Sequence, residues 1–411
     1  MKVVVVHSRY RSGTPSGENR VVDQEAAALV ARGHDVTMFQ RHSDDIAAWP
    51  RHRRLLLPAT AIWNGQSRAD LTALLDEIRP DVVHVHNTFP MLTPSVLYGC
   101  RDAGVPVVAT VHNYRLVCAA GPLFRDGKPC HDCLDGRVLP SVRHGCYRGS
   151  RAATVPLALE KKLHGNAWRD LVSAFVFISA AQRDLMTGMG LSPERAFVKH
   201  NLVPAMAVQP AERRHQVAYL GRLDEVKGVP FLMRSWDTFR AGHPESPLRL
   251  VVAGGGPLAD EVSAWGATRP SVAVPGVLTR QEAAQVLSES VAAVVPSRWE
   301  EPLGLVAIEA MAAGTAPVAP AAGSFPELVE DGVTGVLYDP HREDALAAVL
   351  ADVDRHPDRY LTIGSRGRVT AATRFDPDSN LDQLLDIYRF AVRNPVSTDR
   401  PARSLDRPLS T

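Results

Sequence analysis

The sequence lacks any apolar stretch that approaches the ~20 residues needed for a membrane-spanning helix. Its apolar runs, such as 3–6 and 291–295, have the length of buried strands. Met-Lys leads directly into Val-Val-Val-Val, so we expect no secretory leader with a separate hydrophobic region. These absences predict a cytoplasmic protein, with the inner face of a membrane as a location to consider.

The chain also lacks an excess of either charge, since its net charge is only +1. That balance conceals an asymmetry. Residues 1–200 contain 25 Lys and Arg against 18 Asp and Glu, whereas the remainder contains 21 against 27. The difference is either chance scatter on solvated faces or a field that favours an anionic acceptor or a membrane surface near the first half. We expect no nucleic-acid partner.

At 411 residues the chain is too long for one ordinary core and suits two domains. Strand-like β-branched runs alternate with helical patterns in both halves, which indicates parallel sheets covered on both faces. The fold class predicted is α/β, with two Rossmann-like domains facing a cleft. We expect an N-terminal domain over 1–205 and a C-terminal domain over 206–378. A last helix over 379–393 would cross back to the first domain, and a disordered tail would follow over 394–411.

The element pattern is specific enough to give bounds. The predicted strands are 2–6, 36–39, 82–86, 106–111, 174–178, 217–221, 248–253, 271–274, 291–295, 316–319 and 335–338. The predicted helices are 21–32, 70–78, 229–241, 281–287, 305–313, 342–354 and 379–392. Ligands of open α/β sheets bind at the carboxyl ends of the strands, which places the site in the cleft.

One segment, Glu301-Pro-Leu-Gly-Leu-Val-Ala-Ile-Glu309, follows a strand and opens a helix. A helix N-terminus reached in this way binds anions through its free amides and its dipole. The two glutamates lie about 80° apart around a helix, so we place Glu301 in the loop and Glu309 on the helix. The alternative is that Glu301 only interacts with the helix dipole and that Glu309 is a solvated surface residue. The apolar neighbours of Glu309 favour a functional pair, because a buried carboxylate needs a partner.

A second loop, Gly221-Arg222-Leu-Asp-Glu-Val-Lys227-Gly228, also joins a predicted strand to a helix. Its Arg and Lys would neutralise a diphosphate, although a basic loop of this kind is common by itself. The turn 254–257 is not a dinucleotide motif and is read as structural.

Together these motifs resemble the retaining glycosyltransferases of family 4, which have the GT-B fold, and the resemblance covers residues 1–392. It is carried by Gly221-Arg222…Lys227-Gly228, by Glu301…Glu309 within Glu-Ala-Met-Ala-Ala-Gly, and by Gly323-Ser-Phe-Pro-Glu327-Leu-Val-Glu-Asp-Gly332. The resemblance implies a nucleotide-diphosphate sugar as donor. It also implies roles for the residues. Glu309 would bind the ribose, Glu301 would bind the sugar hydroxyls, and the amides of Gly304, Leu305 and Val306 would bind phosphate or sugar oxygens. Arg222 and Lys227 would bind the diphosphate, and the backbone near Val277 would contact the base.

The first half carries the rest of this family pattern with one departure. Family members have Gly-Gly-Xaa-Glu in the first loop, where this chain has Ser16-Gly17-Glu18-Asn19. Gly17 is the glycine whose amide would approach the donor phosphate or the acceptor. His112, at the end of a strand, matches the family's active-site histidine.

The resemblance implies transfer to an acceptor hydroxyl with retention of anomeric configuration. No Asp-Xaa-Asp motif follows a predicted strand, so we expect catalysis to need no metal or other cofactor. The acceptor would be a glycan, a lipid-linked sugar or a small molecule, as in cell-envelope, polysaccharide or glycolipid synthesis. Two alternatives remain open at this point, namely a nucleotide-sugar epimerase of the same architecture and a catalytically silent nucleotide-sugar-binding subunit.

Four of the five cysteines, Cys118, Cys130, Cys133 and Cys146, fall in an insertion over about 115–150. A CxxC flanked by two further thiols is similar to structural zinc spacing, with His131 and His144 as substitute ligands. Free or buried thiols and disulfides are the alternatives. Separately, the basic run Arg51-His-Arg-Arg54 leads into three leucines. It is either a loop entering a helix or a peripheral membrane contact suited to a lipid-linked acceptor.

Overall fold

The computed structural model describes residues 1–12, 16–203 and 212–396. The predicted domain junction near 205 and most of the predicted tail lie outside these residues. Within them the strands run in chain order as follows: β1 Lys2–Arg9, β2 Asp35–His42, β3 Val82–Asn87, β4 Val107–Val111, β5 Phe124–Arg125, β6 Lys128–Pro129, β7 Ala174–Phe177, β8 Ala196–Val198, β9 Arg214–Leu220, β10 Arg249–Ala253, β11 Val272–Gly276, β12 Ser290–Val294, β13 Ala316–Pro320 and β14 Val336–Tyr338.

The helices of the same residues surround these strands. They are α1 Gly17–Ala31, α2 Asp45–Ala48, α3 Arg51–Leu55, α4 Leu57–Thr60, α5 Gly65–Ile78, α6 Ser95–Asp102, α7 Leu139–Arg143, α8 Arg151–Leu171, α9 Ala180–Leu185, α10 Val229–Gly242, α11 Ala259–Ala267, α12 Arg280–Glu289, α13 Leu305–Ala312, α14 Phe325–Leu328, α15 Ala345–Arg355, α16 Pro357–Arg374 and α17 Pro377–Arg393, with 3₁₀ turns at Thr187–Met189 and Pro193–Arg195. No helix in the described part of the chain is both long enough and apolar enough to span a membrane.

The first half forms a six-stranded parallel sheet in the order β2-β1-β3-β4-β7-β8. The four valines of β1 are almost fully buried because helices cover both faces of the sheet. On one face they pack with α5, α6 and α8, and on the other with α1 and α17. A continuous β-branched run is what a strand buried on both sides requires.

The second half repeats this plan with the order β11-β10-β9-β12-β13-β14, again all parallel. Its largest core cluster joins β9, β10 and β12 to α10 and α15 around the fully buried Trp236. The α/β class with two parallel-sheet units is therefore confirmed.

Helix α17 leaves the second half and packs on the sheet of the first. Leu384 and Tyr388 lie in one buried cluster with Val3 and Val5. The Tyr388 hydroxyl is 2.7 Å from Nδ1 of His84, which is fully buried in β3.

Most predicted elements are present, with shifted ends where a cap decides the boundary. Helix α1 begins four residues before the predicted start of 21, because the Ser16 hydroxyl accepts a hydrogen bond from the Asn19 amide. Helix α12 begins at Arg280 because Thr279 and Glu282 form a capping box. The sequence pattern does not predict the 21-residue α8, the 18-residue α16 or the shorter helices α2 to α4, α6, α7, α9, α11 and α14. Leu55, the last residue of α3, and Leu56, which caps the helix, are both exposed. Membrane contact at these leucines stays a prediction.

Candidate active site

Two predicted site residues from different loops form an ion pair at the carboxyl edge of the second sheet. Lys227, in the loop after β9, places Nζ 2.8 Å from both carboxylate oxygens of Glu301, in the loop after β12. The Ser297 hydroxyl and the Trp299 indole N–H also donate to Glu301, at 2.7 and 2.9 Å. Glu301 is buried, so this set of donors compensates for its lost hydration.

The loop that carries Lys227 is fixed by a carboxylate and a glycine. Oδ1 of Asp224 accepts from the Lys227 amide at 2.9 Å, and Oδ2 pairs with Nε of Arg222 at 3.0 Å. Gly228 has φ 73°, and a Cβ there would overlap the carbonyl of Pro296. The backbone of this loop therefore lies directly against the loop that leads to Glu301. Arg222, whose side chain is half exposed, does not contact Glu301.

Helix α13 begins beside this ion pair, at the predicted position. Its N-cap Gly304 has φ 72°, and a Cβ there would lie only 2.5 Å from Cε1 of Phe325. Leu305 and Val306 open the helix, so their amides belong to the first turn, where backbone donors lack partners inside the helix. This arrangement is an anion-binding end of a helix.

The N-terminal ends of α1 and α13 lie close together across the two halves. A Cβ built on Gly17, the first residue of α1, would lie 3.8 Å from Cδ1 of Leu305. The structure thus brings together Gly17 and Leu305, two residues predicted from separate motifs. Each helix N-terminus carries a partial positive charge, which favours an anionic group beside it.

Glu309 lies one helix turn further into α13 and has its own partner. Nη2 of Arg20, from α1, is 2.7 Å from its Oε1. The Glu309 side chain is 19% exposed, so it is largely but not completely buried. The need for a partner is nevertheless met, and the partner comes from the other half of the molecule.

Val277 follows β11 at the far side of this edge. Its side chain is exposed, and a Cβ at Gly255 would meet its Cγ2 at 2.9 Å. The turn 254–257 therefore packs closely on its neighbours, as its structural reading predicts. Val277 has no contact with the Lys227–Glu301 pair among the described interactions.

His112, immediately after β4, belongs to a buried row of histidines. Its Nε2 is 2.9 Å from Nδ1 of His86, and Oε1 of Glu25 lies 3.6 Å from Nε2 of His86. A Glu25 carboxylate near Nε2 favours a proton there, so His86 would accept at Nδ1 and His112 would donate from Nε2. Nδ1 of His112 is then an acceptor, and it is buried without a partner among the described residues.

Burial lowers the pKa of His112 well below its ordinary value, and the neighbouring His7, His84 and Lys199 lower it further. His112 is therefore neutral near pH 7, with a free lone pair on Nδ1. Glu25 stays ionised, because the adjacent Lys199 and His84 outweigh the burial that would raise its pKa.

Glu18, a carboxylate that the sequence motifs do not predict as a site residue, lies near His112 through its contact with Asn113. Glu18, the second residue of α1, accepts from the Tyr10 hydroxyl at 3.3 Å and from Nδ2 of Asn113 at 3.2 Å. Its other oxygen is buried without a partner among the residues that the structure describes, and burial raises the pKa of Glu18 to about 7. The sequence signal was its place directly after Gly17.

Further contacts hold the two halves together. Oε2 of Glu327 accepts from the amide of Ala180 at 2.8 Å and from that of Ala181 at 3.3 Å, while its Oε1 is 3.0 Å from Nε2 of His200. Nε2 of His131, between the CxxC cysteines, is 3.2 Å from Oε1 of Glu300. The cysteine insertion thus contacts the loop that carries Glu301.

The fold and this site define a glycosyltransferase of GT-B architecture, and the comparisons identify the family. The sequence profile "Glycosyltransferase Family 4" matches residues 15–205, and the profile "Glycosyl transferases group 1" matches residues 206–370. The D-inositol 3-phosphate glycosyltransferase of Mycobacterium avium is 32% identical over 424 residues, spanning 95% of this chain and 92% of that protein. The chain belongs to glycosyltransferase family 4.

Two other similarities agree with this family. The alpha-maltose-1-phosphate synthase of Mycolicibacterium smegmatis is 33% identical over 253 residues, which is 54% of this chain and 64% of that protein. The crystal structure of Anabaena HepE in complex with UDP has a TM-score of 0.66 at 18% identity. That match covers 94% of this chain and 99% of the HepE chain.

Proposed function

We propose that this protein transfers a glycosyl group from a nucleotide-diphosphate sugar to an acceptor hydroxyl, with retention of anomeric configuration and without a catalytic metal. The observation that carries the proposal is the pair of adjacent helix N-termini, at Gly17 and Leu305, beside the Lys227–Glu301 ion pair. Such a site suits a diphosphate attached to a sugar with hydroxyls.

In this proposal the charged pairs are shared with the donor when it binds. Lys227 and Arg222 would neutralise the diphosphate, together with the amides of Gly304, Leu305 and Val306. Glu301 would accept from the sugar hydroxyls and Glu309 from the ribose, while backbone near Val277 would meet the base. Electrostatic stabilisation of a leaving diphosphate by fixed cations and amides needs no metal.

The reaction proposed is a same-face substitution. The bond between the anomeric carbon and the leaving phosphate oxygen breaks as the acceptor oxygen bonds to that carbon, and the acceptor proton passes to the departing phosphate. The Gly17 amide and neutral His112 would orient the reacting sugar or the acceptor. The excess of basic residues in 1–200, and a relative whose name specifies a phosphorylated inositol, support an anionic acceptor.

The test is donor consumption that depends on an added acceptor, measured without Mg²⁺ or Mn²⁺ across UDP- and GDP-sugars. A panel that includes inositol 3-phosphate supplies the acceptors, and NMR of the product reports the anomeric configuration. Inverted product, or full dependence on a divalent cation, would contradict the mechanism proposed. Donor consumption without any acceptor would point to an epimerase or a hydrolase instead.

Lys227→Ala and Glu309→Ala are each expected to reduce turnover at least ~100-fold, comparable to the loss of a preorganised stabilising group. Lys162→Ala and Glu330→Ala, which change exposed residues of the same types, are the matched controls. Near-normal turnover in either site variant would remove the role assigned to that residue.

A further inference from the structure

The insertion between β4 and α8 has few elements of its own to hold its shape. From residue 115 to 150 it contains only the two-residue strands β5 and β6 and the five-residue helix α7. The hairpin turns through Asp126 and Gly127, both at positive φ. A segment this poor in regular structure often needs a covalent or metal crosslink to stay ordered.

All four cysteines of the insertion line one small pocket. The other lining residues are Ala120, Leu123, Phe124, Arg125, Asp132, Pro140 and Ser141. Neither His131 nor His144, the substitute ligands considered from sequence, belongs to this lining. His131 is directed at Glu300 instead. The candidate ligand set is therefore four thiols.

The backbone presents these thiols in tight turns. The Cys130 amide donates to the Leu123 carbonyl at 2.7 Å, so the hairpin ends at Cys130, the first cysteine of the CxxC. The Leu134 amide donates to the His131 carbonyl, and the Gly136 amide donates to the Cys133 carbonyl, both at 3.1 Å. These two backbone turns reverse the chain around the CxxC. The Cys146 amide donates to Ser141 at 3.0 Å, which returns the fourth cysteine to the same place.

We propose that Cys118, Cys130, Cys133 and Cys146 bind one structural zinc ion as thiolates, each thiol releasing its proton to solvent. Tetrahedral Zn–S bonds of about 2.3 Å bring the sulfurs to about 3.8 Å of one another. No three of these sulfurs lie within 4.8 Å of one another in the described structure, so binding requires the turns to close slightly around the metal.

In the described residues, Glu25, His84 and His86 each place one potential metal-ligand atom within 4.8 Å of those of the other two. This cluster does not suit a metal, because Nζ of Lys199 lies 3.0 Å from Oε2 of Glu25. Both ring nitrogens of His84 are also engaged, by the hydroxyls of Tyr388 and Thr110.

The test is elemental analysis of the full chain purified without chelator. The expected result is about one zinc per chain, and about none in Cys130→Ser and Cys133→Ser. Cys100→Ala is the matched control, because Cys100 is a buried thiol outside the insertion and its loss should leave the zinc content unchanged. Should the serine variants fail to fold, cobalt reconstitution of the wild-type chain replaces them, with the intense visible bands of tetrahedral thiolate cobalt as the expected signature.

Three results would overturn the proposal. One is zinc well below stoichiometry in a folded wild-type chain whose four insertion thiols all react with an alkylating agent. The second is an intact mass lower by four hydrogens, which would mean two disulfides. The third is iron in place of zinc at the same stoichiometry.

Discussion

At the scale of the residue, the carboxylates of the site differ in what holds them. Glu301 is buried and receives hydrogen bonds from Lys227, Ser297 and Trp299, so the direction of its carboxylate is fixed. Among the described residues Glu309 has one partner, Arg20 on α1. If the donor ribose binds Glu309 as proposed, it would share or displace this contact between the two halves. The described partners of Glu301 all belong to the second half.

Glu18 is the residue whose protonation should be visible in stability. Burial raises its pKa from an ordinary 4.5 to about 7, so the folded state binds this proton more tightly than the unfolded chain does. The contribution of protonated Glu18 to the free energy of unfolding is complete below pH 4.5 and is lost as the pH rises through 7. The free energy of unfolding falls by roughly 3 kcal/mol over this range. We expect Glu18→Gln to be more stable than the wild type at pH 8 and to lose that advantage by pH 4.5.

Thermal unfolding of both proteins between pH 4.5 and 8 measures this difference. Glu330→Gln controls for the removal of a carboxylate, because Glu330 is exposed. Parallel stability curves for Glu18→Gln and the wild type would show that Glu18 titrates normally in the folded state.

At the scale of the element, the loops after β9 and β12 act as one unit, because Gly228 allows their backbones to touch. Gly228→Ala should cost more stability than Gly33→Ala, although both glycines have positive φ, 73° and 80°. A Cβ at Gly33 meets nothing within 4 Å, whereas one at Gly228 would lie 2.7 Å from the carbonyl carbon of Pro296. Gly33→Ala should cost the ~1–2 kcal/mol of a left-handed alanine alone.

Urea unfolding gives both free energies, and Gly228→Ala should also weaken nucleotide binding, since Lys227 is its neighbour. Equal costs for the two variants would mean that the loops separate easily, contrary to the close packing described.

The elements also show what the sequence could predict. Strands such as β1 and β12 are continuous apolar runs, and the glycine-bounded loops after β9 and β12 carry their charges in recognisable motifs. The partner of Glu309 could not be predicted in this way. Arg20 is 289 residues away, and only the packing of α1 against α13 brings it there. The His86–His112 contact likewise depends on the order of β3 and β4 in the sheet. The sequence pattern predicts neither α8 nor α16, although they are 21 and 18 residues long.

At the scale of the whole molecule, Glu327 connects the two halves through the amides of α9 and through His200. These partners lower the pKa of Glu327 below its ordinary value despite partial burial. The stabilisation is therefore present above about pH 4.5 and is lost as pH falls below that value. We expect Glu327→Ala to widen the cleft in the absence of ligand, seen as a larger radius of gyration in solution scattering at pH 7.

Glu330→Ala, three residues along and exposed, should leave the radius of gyration unchanged. If Glu327→Ala scattered like the wild type at pH 7, the Arg20–Glu309 and His131–Glu300 contacts would suffice to hold the halves, and the role assigned to Glu327 would be wrong.

The return of α17 to the first sheet has a consequence for how the protein is made. The face formed by Val3 and Val5 is covered by Leu384 and Tyr388, which are translated after the strands of both sheets. Until then, this apolar face of the first sheet has α1 on it but not α17, and His84 lacks the Tyr388 hydroxyl. The first sheet is therefore completed only after the second sheet has been synthesised. A gene truncated before residue 377 would encode all six strands of the first sheet without one of the two helices that cover this face.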